Sequence, residues 1–281
     1  MRIAFQGEIG AFSEEAARVM YPAGDRVPMP SMEAVFEAVE QGNTERGVIP
    51  IDNSLFGSVH INYDLLRSHQ VSIVGELRLR IRHCLMAMPG ATLEGITRVQ
   101  SHPQALGQCR EYLKFHLSHA ETVPAYDTAG AAKLVAAKGD PHRAAIAPER
   151  AADEYGLEVL AANIESHSQN YTRFLALAQQ ESARQIVFEE GRPARTSIVF
   201  APRANVPGAL FKCLAVFFLR DLDLLKVESR PLVGQPGKYI FYLDVDGGVR
   251  DPVVQQALRH LSEISAELRV LGSYNQGSSS D

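Results

Sequence analysis

The sequence predicts an α/β protein in which two lobes enclose a cleft and a small βαββαβ unit follows them. Three observations carry this reading. Before residue 178, short apolar runs alternate with helical patterns, the βαβ rhythm of lobes built on mainly parallel sheets. From Leu77 to Leu85 apolar residues and His83 alternate with Arg78, Arg80 and Arg82, which reads as a long half-exposed strand running from one lobe into the next. After residue 195 the order becomes strand, helix, strand, strand, helix, strand.

In chain order, "RIAF" reads as a strand and "SEEAARVMY" as a helix capped by Ser13. "SMEAVFEAVEQG" is a helix capped by Ser31 and stopped by Gly42; "RGVIPI" is the next strand and "VHINYDLLRSH" another helix. In the second lobe "TRVQ" and "AAIA" are strands. "PQALGQCREYLKFHL", with Pro103 in its first turn, "AGAAKLVAAKG", and "ERAADEY" before Gly156 are helices. The polar stretch 179–195 has no period and reads as a linker. Residues 196–274 then form a ferredoxin-like unit: strands "RTSIVFAP", "LKVESRPL", "KYIFYLDVDG" and "LRVLGSY", with helices "PGALFKCLAVFFLRD" and "DPVVQQALRHLSEIS". The Gly/Ser-rich residues 275–281 read as a loose tail.

Composition excludes several classes. The 281 residues are 46% hydrophobic and 22% charged, the balance of a globular chain long enough for two or three domains. A formal charge of −5, with no basic run interleaved with aromatics, speaks against nucleic acid as a partner. No stretch is long and apolar enough for a membrane span, and the opening apolar run is too short for a signal peptide, so the expected location is cytoplasmic. Cys84, Cys109 and Cys213 are far apart and odd in number, without the spacing of a metal site or a disulfide framework. No metal and no cofactor motif is expected.

Four polar clusters fall where predicted strands end, the place where ligands bind in such lobes. They are "QGEIGAFSEEA" with Ser13, "GVIPIDNSLFGSV" with Asp52 and Asn53, "SHPQALGQC" with Ser101 and Gln108, and "NYTRF" with Thr172, Arg173 and Phe174. Each alone suits an ordinary turn or helix start. Together they supply hydroxyls, amides and a guanidinium, which suits a pocket for a small polar anion. Binding alone, as in a two-lobed solute receptor or amino-acid sensor, remains open beside a reaction that needs no cofactor.

In their order, "GEIGAFS", "GVIPIDNSLFGSV", "SHPQALGQC" and "NYTRF" resemble prephenate dehydratase, and "NVPGALFKCL" followed by "VESRPL" resembles the ACT regulatory domain that follows it in that family. The resemblance spans roughly residues 1–274. It implies a dehydratase domain at 1–178, with periplasmic-binding-protein-like lobes at about 1–80 and 81–178, a linker at 179–195 and an ACT domain at 196–274. It also implies decarboxylative dehydration of prephenate to phenylpyruvate on the way to L-phenylalanine. The family's catalytic threonine falls on Thr172, and other active-site positions fall on Asn53, Ser101, Gln108 and Arg173, with Phe174 in the same motif. The family usually carries Glu where Asp52 stands.

The reaction makes the substrate ring aromatic, so no electron sink is needed; what helps is polarisation of the departing hydroxyl. Thr172 is expected to donate to it, with Asn53 and Gln108 as preset donors. Arg173 is expected on the side-chain carboxylate, because a guanidinium on the ring carboxylate would oppose its loss. The resemblance also implies L-phenylalanine as effector, bound by the regulatory domain across a subunit interface. The helix start after Asn205 offers free N–H groups for its carboxylate, Gly208, Ala209 and Leu210 leave room for its side chain, and Glu228, beside Ser229, offers a charge for the ammonium group. Such a small domain encloses a ligand best at a seam between copies, so a homodimer or homotetramer is expected. Arogenate, whose amine replaces the keto group, is the alternative substrate, alone or with dual specificity.

Overall fold

A computed structural model describes residues 1–183, 188–189, 191–232, 234–235, 237–277 and 279–280. The first lobe is built on the strands Arg2–Gln6, Asp25–Met29, Arg46–Asn53, Val71–Arg80 and Tyr171–Gln179. The first three pair in parallel, as the βαβ rhythm predicts. Tyr171–Gln179, however, lies antiparallel between Arg46–Asn53 and Val71–Arg80. The second lobe is also mixed: Arg98–Ser101 is parallel to both its neighbours, whereas Cys84–Ala87 is antiparallel to both of its own. Sheets expected to be mainly parallel are therefore half antiparallel. The cause is the chain's route, which leaves the first lobe after Arg80 and comes back at Tyr171, so its outgoing and returning strands run in opposite directions.

The two crossings run side by side, with Ile81 N donating to Asn170 O at 2.7 Å and Ile164 N to His83 O at 3.0 Å. The single strand expected over Leu77–Leu85 is thus two, Val71–Arg80 and Cys84–Ala87, one in each lobe. Alternation persists through the break because Ile81 and His83 are buried between the two apolar cores while Arg82 is exposed. The helix expected over Pro103–Leu117 is also divided, into Pro103–Gln108 and Arg110–His116 about Cys109. Ser31 caps its helix, accepting from Ala34 N at 3.2 Å. Ser13 does not cap: the helix begins at Phe12 behind Ala11, which leaves Ser13 inside the first turn.

The C-terminal strands Ala194–Pro202, Leu224–Pro231, Tyr239–Asp246 and Ser265–Asn275 form an antiparallel sheet. Helices Ala209–Phe218 and Pro252–Ile264 share a core with one of its faces. The opposite face lies on helix His60–Ser68 of the first lobe, where the rings of Tyr63 and Tyr242 meet at 4.9 Å. The two sheets also join edge to edge at a single pair, Gly272 with Ile73. A Cβ at position 272 would stand 2.1 Å from the Ile73 carbonyl oxygen, so only glycine lets these backbones meet.

Residues 275–281, expected to hang free, are held at the described positions. Gly277 N donates to Glu76 Oε1 at 3.1 Å, and Ser279 and Ser280 pair with Arg78 and Leu79. Ser278 and Asp281 of this tail lie outside the described residues, as do 184–187 and 190 of the stretch expected as a linker, in which Gln179 ends one strand, Gln180–Ala183 is a short helix and Ala194 begins the next strand. The three cysteines are free and buried, each in a different core cluster. Among the described residues no helix is long and apolar enough to cross a membrane.

Candidate active site

Strands Arg46–Asn53 and Tyr171–Gln179 end at the cleft with Asn53 and Thr172 as direct partners. Successive side chains on a strand point to opposite faces. Asn53 and Thr172 face the cleft; Asp52 and Arg173 face away from it. The Asn53 carboxamide organises the corner. Its Oδ1 accepts from Leu55 N and Phe56 N at 3.0 and 3.1 Å, which makes the turn. Its Nδ2 donates to Asn170 Oδ1 at 2.8 Å and to Thr172 Oγ1 at 3.0 Å. Thr172 Oγ1 accepts from this amide and, among the described residues, donates to no acceptor, so its hydrogen is available to something in the cleft.

The cleft has a volume of about 510 Å³ and is lined by Ser13, Asn53, Thr172 and Phe174 from the first lobe, with Gln108 and Asp127 facing them from the second. His83, at the crossing, also lines it, and its Nε2 lies 2.5 Å from Gln108 Oε1. Burial pushes the His83 pKa down, against the opposing pull of that hydrogen bond, so the ring is neutral with its proton on Nε2. The bond then fixes Gln108 with its NH₂ group left to donate elsewhere. Five expected residues, Ser13, Asn53, Gln108, Thr172 and Phe174, thus meet in one cavity.

Three expected residues do not. Ser101 is fully buried and donates to Ile146 O at 2.5 Å, inside the second lobe. Arg173, read from the sequence as a clamp on substrate, is instead a hub between the first lobe and the C-terminal unit. Its Nε lies 2.5 Å from Glu76, its Nη1 2.6 Å from Asp244, and its Nη2 donates to Tyr274 Oη at 3.0 Å. Burial opposes the charge, but Tyr274, Asp244 and Glu76 outweigh it and hold the guanidinium protonated. Asp52 belongs to the same face, with Lys226 of the C-terminal unit at 3.2 Å and Arg173 at 3.7 Å. Strand alternation is the reason for both corrections, since neighbours of Asn53 and Thr172 cannot share their face.

Residues missed in the sequence include His83, hidden in an apolar alternation, and Asp127, whose one visible signal is its place before a helix. Glu14 was also missed. It is fully buried and sits 3.0 Å from Arg18, 3.3 Å from Arg26 and, across the lobes, 2.9 Å from Arg150. Among the described residues no group of three or more His, Cys, Asp or Glu could hold a metal ion.

A family model described as prephenate dehydratase matches residues 3–182. The chain belongs to the prephenate dehydratase family. Its relatives include arogenate dehydratase/prephenate dehydratase 2, chloroplastic, of Arabidopsis thaliana, 47% identical over 98% of this chain and 72% of that protein. Among solved structures, prephenate dehydratase of Arthrobacter aurescens in complex with L-Phe superposes with a TM-score of 0.89 at 32% identity, over 98% of this chain and 90% of the other. A protein described as GqqA, a novel type of quorum quenching acylase, superposes with a TM-score of 0.88 at 32% identity, over 98% of both chains. The cytoplasmic expectation is corrected by these relatives: two Arabidopsis thaliana family members that match 98% of this chain are named chloroplastic.

Within this member of the prephenate dehydratase family, the expected effector residues separate. Asn205, Gly208, Ala209 and Leu210 line a second cavity of about 610 Å³, together with Arg67 and Tyr239. Glu228 is not there. It faces the first lobe, accepting from Ser58 Oγ at 2.5 Å, with His60 at 3.4 Å and Lys226 at 3.8 Å. Alternation along Leu224–Pro231 turns Ser229 outward, where it is exposed.

Proposed function

We propose that this chain removes water and carbon dioxide from prephenate to give phenylpyruvate, a step toward L-phenylalanine. The observation that carries this is the Thr172 hydroxyl, held by Asn53 with its hydrogen free, at the wall of a cleft with few charges. In the reaction the ring C–O bond and the ring-to-carboxylate C–C bond break. The electron pair of the C–C bond aromatises the ring as carbon dioxide leaves. The departing oxygen takes one proton to become water. Thr172 donates a hydrogen bond to that oxygen; an alcohol is too weak an acid to give the proton up, so solvent supplies it. The Gln108 amide, fixed through His83, adds a second preset donor, and such donors are worth about 10²–10³ in rate each.

With Arg173 engaged elsewhere, a substrate carboxylate is met by backbone. Ala11, Phe12 and Ser13 line the cleft at the start of helix Phe12–Met20, where the first N–H groups have no helical partner. Residues 1–178 act on this reading as the dehydratase domain, 179–195 as the linker and 196–274 as an ACT domain. L-Phenylalanine is the effector, bound in the second cavity with its carboxylate at the start of helix Ala209–Phe218. The L-Phe complex of the Arthrobacter relative supports this choice of ligand. A homodimer or homotetramer would close that cavity between copies.

Arogenate is the second reading, favoured by the Arabidopsis relative whose name carries both activities. The test is steady-state turnover of prephenate and of arogenate by the purified protein, with and without L-phenylalanine. Turnover of one or both, lowered by phenylalanine, is expected. Turnover of neither, with ligand binding retained, would leave a sensor instead of an enzyme.

A further inference from the structure

Among the described residues Asp127 is the single carboxylate that lines the cleft, and no lysine or arginine lines it. Prephenate and arogenate each carry two carboxylates. A fixed negative charge in a pocket for a dianion opposes binding, unless the ligand brings a positive charge of its own.

The geometry leaves one oxygen of Asp127 available. It stands directly before helix Thr128–Lys138, and its Oδ1 accepts from Gly130 N at 2.5 Å. Among the described residues Oδ2 has no hydrogen-bond partner. That atom faces the first loop of the other lobe, 3.7 Å from where a Cβ on Gly7 would stand. The charged and titratable groups around it are Glu8, His102, Lys133 and Tyr155, and burial together with Glu8 pushes the Asp127 pKa up against the pull of the Gly130 N–H, His102 and Lys133. None neutralises it. Lys133 is taken by Glu8 at 2.9 Å. His102 uses its Nδ1 to accept from Gln104 N at 3.3 Å, and burial keeps its ring neutral against the pull of Asp127.

We infer that Asp127 receives the ammonium group of an amine-bearing substrate and so favours arogenate over its keto counterpart. This rests on the dehydratase reading above. The keto substrate offers Oδ2 nothing to bind, whereas an ammonium group both satisfies it and cancels its repulsion of the carboxylates. A different role would be delivery of a proton to the departing hydroxyl by a protonated Asp127, and that role would serve both substrates alike.

The test is Asp127→Asn, which keeps an oxygen to cap the helix and removes only the charge. kcat/KM is measured on both substrates for wild type and variant, with thermal unfolding as a check on the fold. With arogenate a fall of about 10- to 100-fold is expected, the usual scale for losing a charge-assisted hydrogen bond. With prephenate the value stays level or rises. Asp127→Ser, a second capping residue, should reproduce the same split. An equal fall on both substrates, or no fall with arogenate, overturns the inference. So does a wild type that uses prephenate alone, which leaves the dehydratase reading intact. A wild type that turns over neither substrate removes that reading and this inference with it.

Discussion

Arg173→Met separates a structural hub from a substrate clamp. Methionine keeps an apolar stem of similar reach and removes the guanidinium. In the structure that group is 11% exposed and lies between Glu76 and Asp244, themselves 4% and 10% exposed. Removing one partner of a buried ion pair costs roughly 3–5 kcal/mol, mostly for the charges left behind. Two features reduce the figure here. Arg195 Nη1 stands 3.1 Å from Glu76 and 3.4 Å from Asp244, and Ser197 Oγ donates to Asp244 at 2.6 Å. About 3 kcal/mol is therefore expected, a large share of the roughly 5–15 kcal/mol that holds a folded protein together. Arg173→Lys keeps the charge but loses the fork and should fall between wild type and Met. The assay is urea unfolding followed by far-ultraviolet circular dichroism, paired with KM at a temperature where each variant is folded. The midpoint should drop sharply while KM moves by less than about threefold. An unchanged midpoint with KM raised about tenfold or more would refute the hub and restore the clamp.

Thr172→Ala should lower kcat by about 10²–10³ while costing roughly 1 kcal/mol of stability, because Asn53 keeps its bond to Asn170; Thr172→Ser should recover much of the rate, and near-normal kcat in the Ala variant would remove Thr172 from the chemistry. Burial alone would raise the Glu14 pKa, but Arg18 and Arg150 hold it below its usual 4.5, so its contribution to stability is present above that pH and is lost as pH falls through the lowered value. The His83 pKa is depressed below 6.5 by burial, so its contribution likewise stands above pH 6.5 and erodes as pH falls below it. Unfolding midpoints measured from neutral to acid pH should decline in both windows, and Glu14→Gln should flatten the lower one. Gly272→Ala should destabilise the seam between the sheets, since its methyl would meet the Ile73 carbonyl; an unchanged melting temperature would show that the seam contributes little.

What the sequence disclosed and what it hid follow from the range of each signal. Caps, apolar periods and glycine stops act within a few residues, so the helices ending at Gly139 and Gly156 were legible, both glycines being left-handed as a helix end requires. The polar clusters were legible as clusters. Which members share a cavity was not, because that depends on strand phase and on which face the rest of the chain covers. Thr172 and Arg173 are neighbours in "NYTRF" and yet serve opposite sides of one sheet. The mixed sheets depend on the chain's return at Tyr171, which no local pattern announces. Asp25–Met29, with Pro28 inside it, was missed because proline disguises an edge strand as a loop.

The cysteines give the molecule three internal reporters. Cys84 and Cys109 sit in separate clusters of the second lobe, and Cys213 in the core of the C-terminal unit. Burial raises all three thiol pKa values, that of Cys84 to about 11, so little reactive thiolate forms while the protein is folded. A thiol-specific label would therefore mark each one only when its own cluster opens. Mass spectrometry of the labelled peptides along a urea series would then show whether the C-terminal unit melts before the second lobe or together with it, with no engineered probe in the chain.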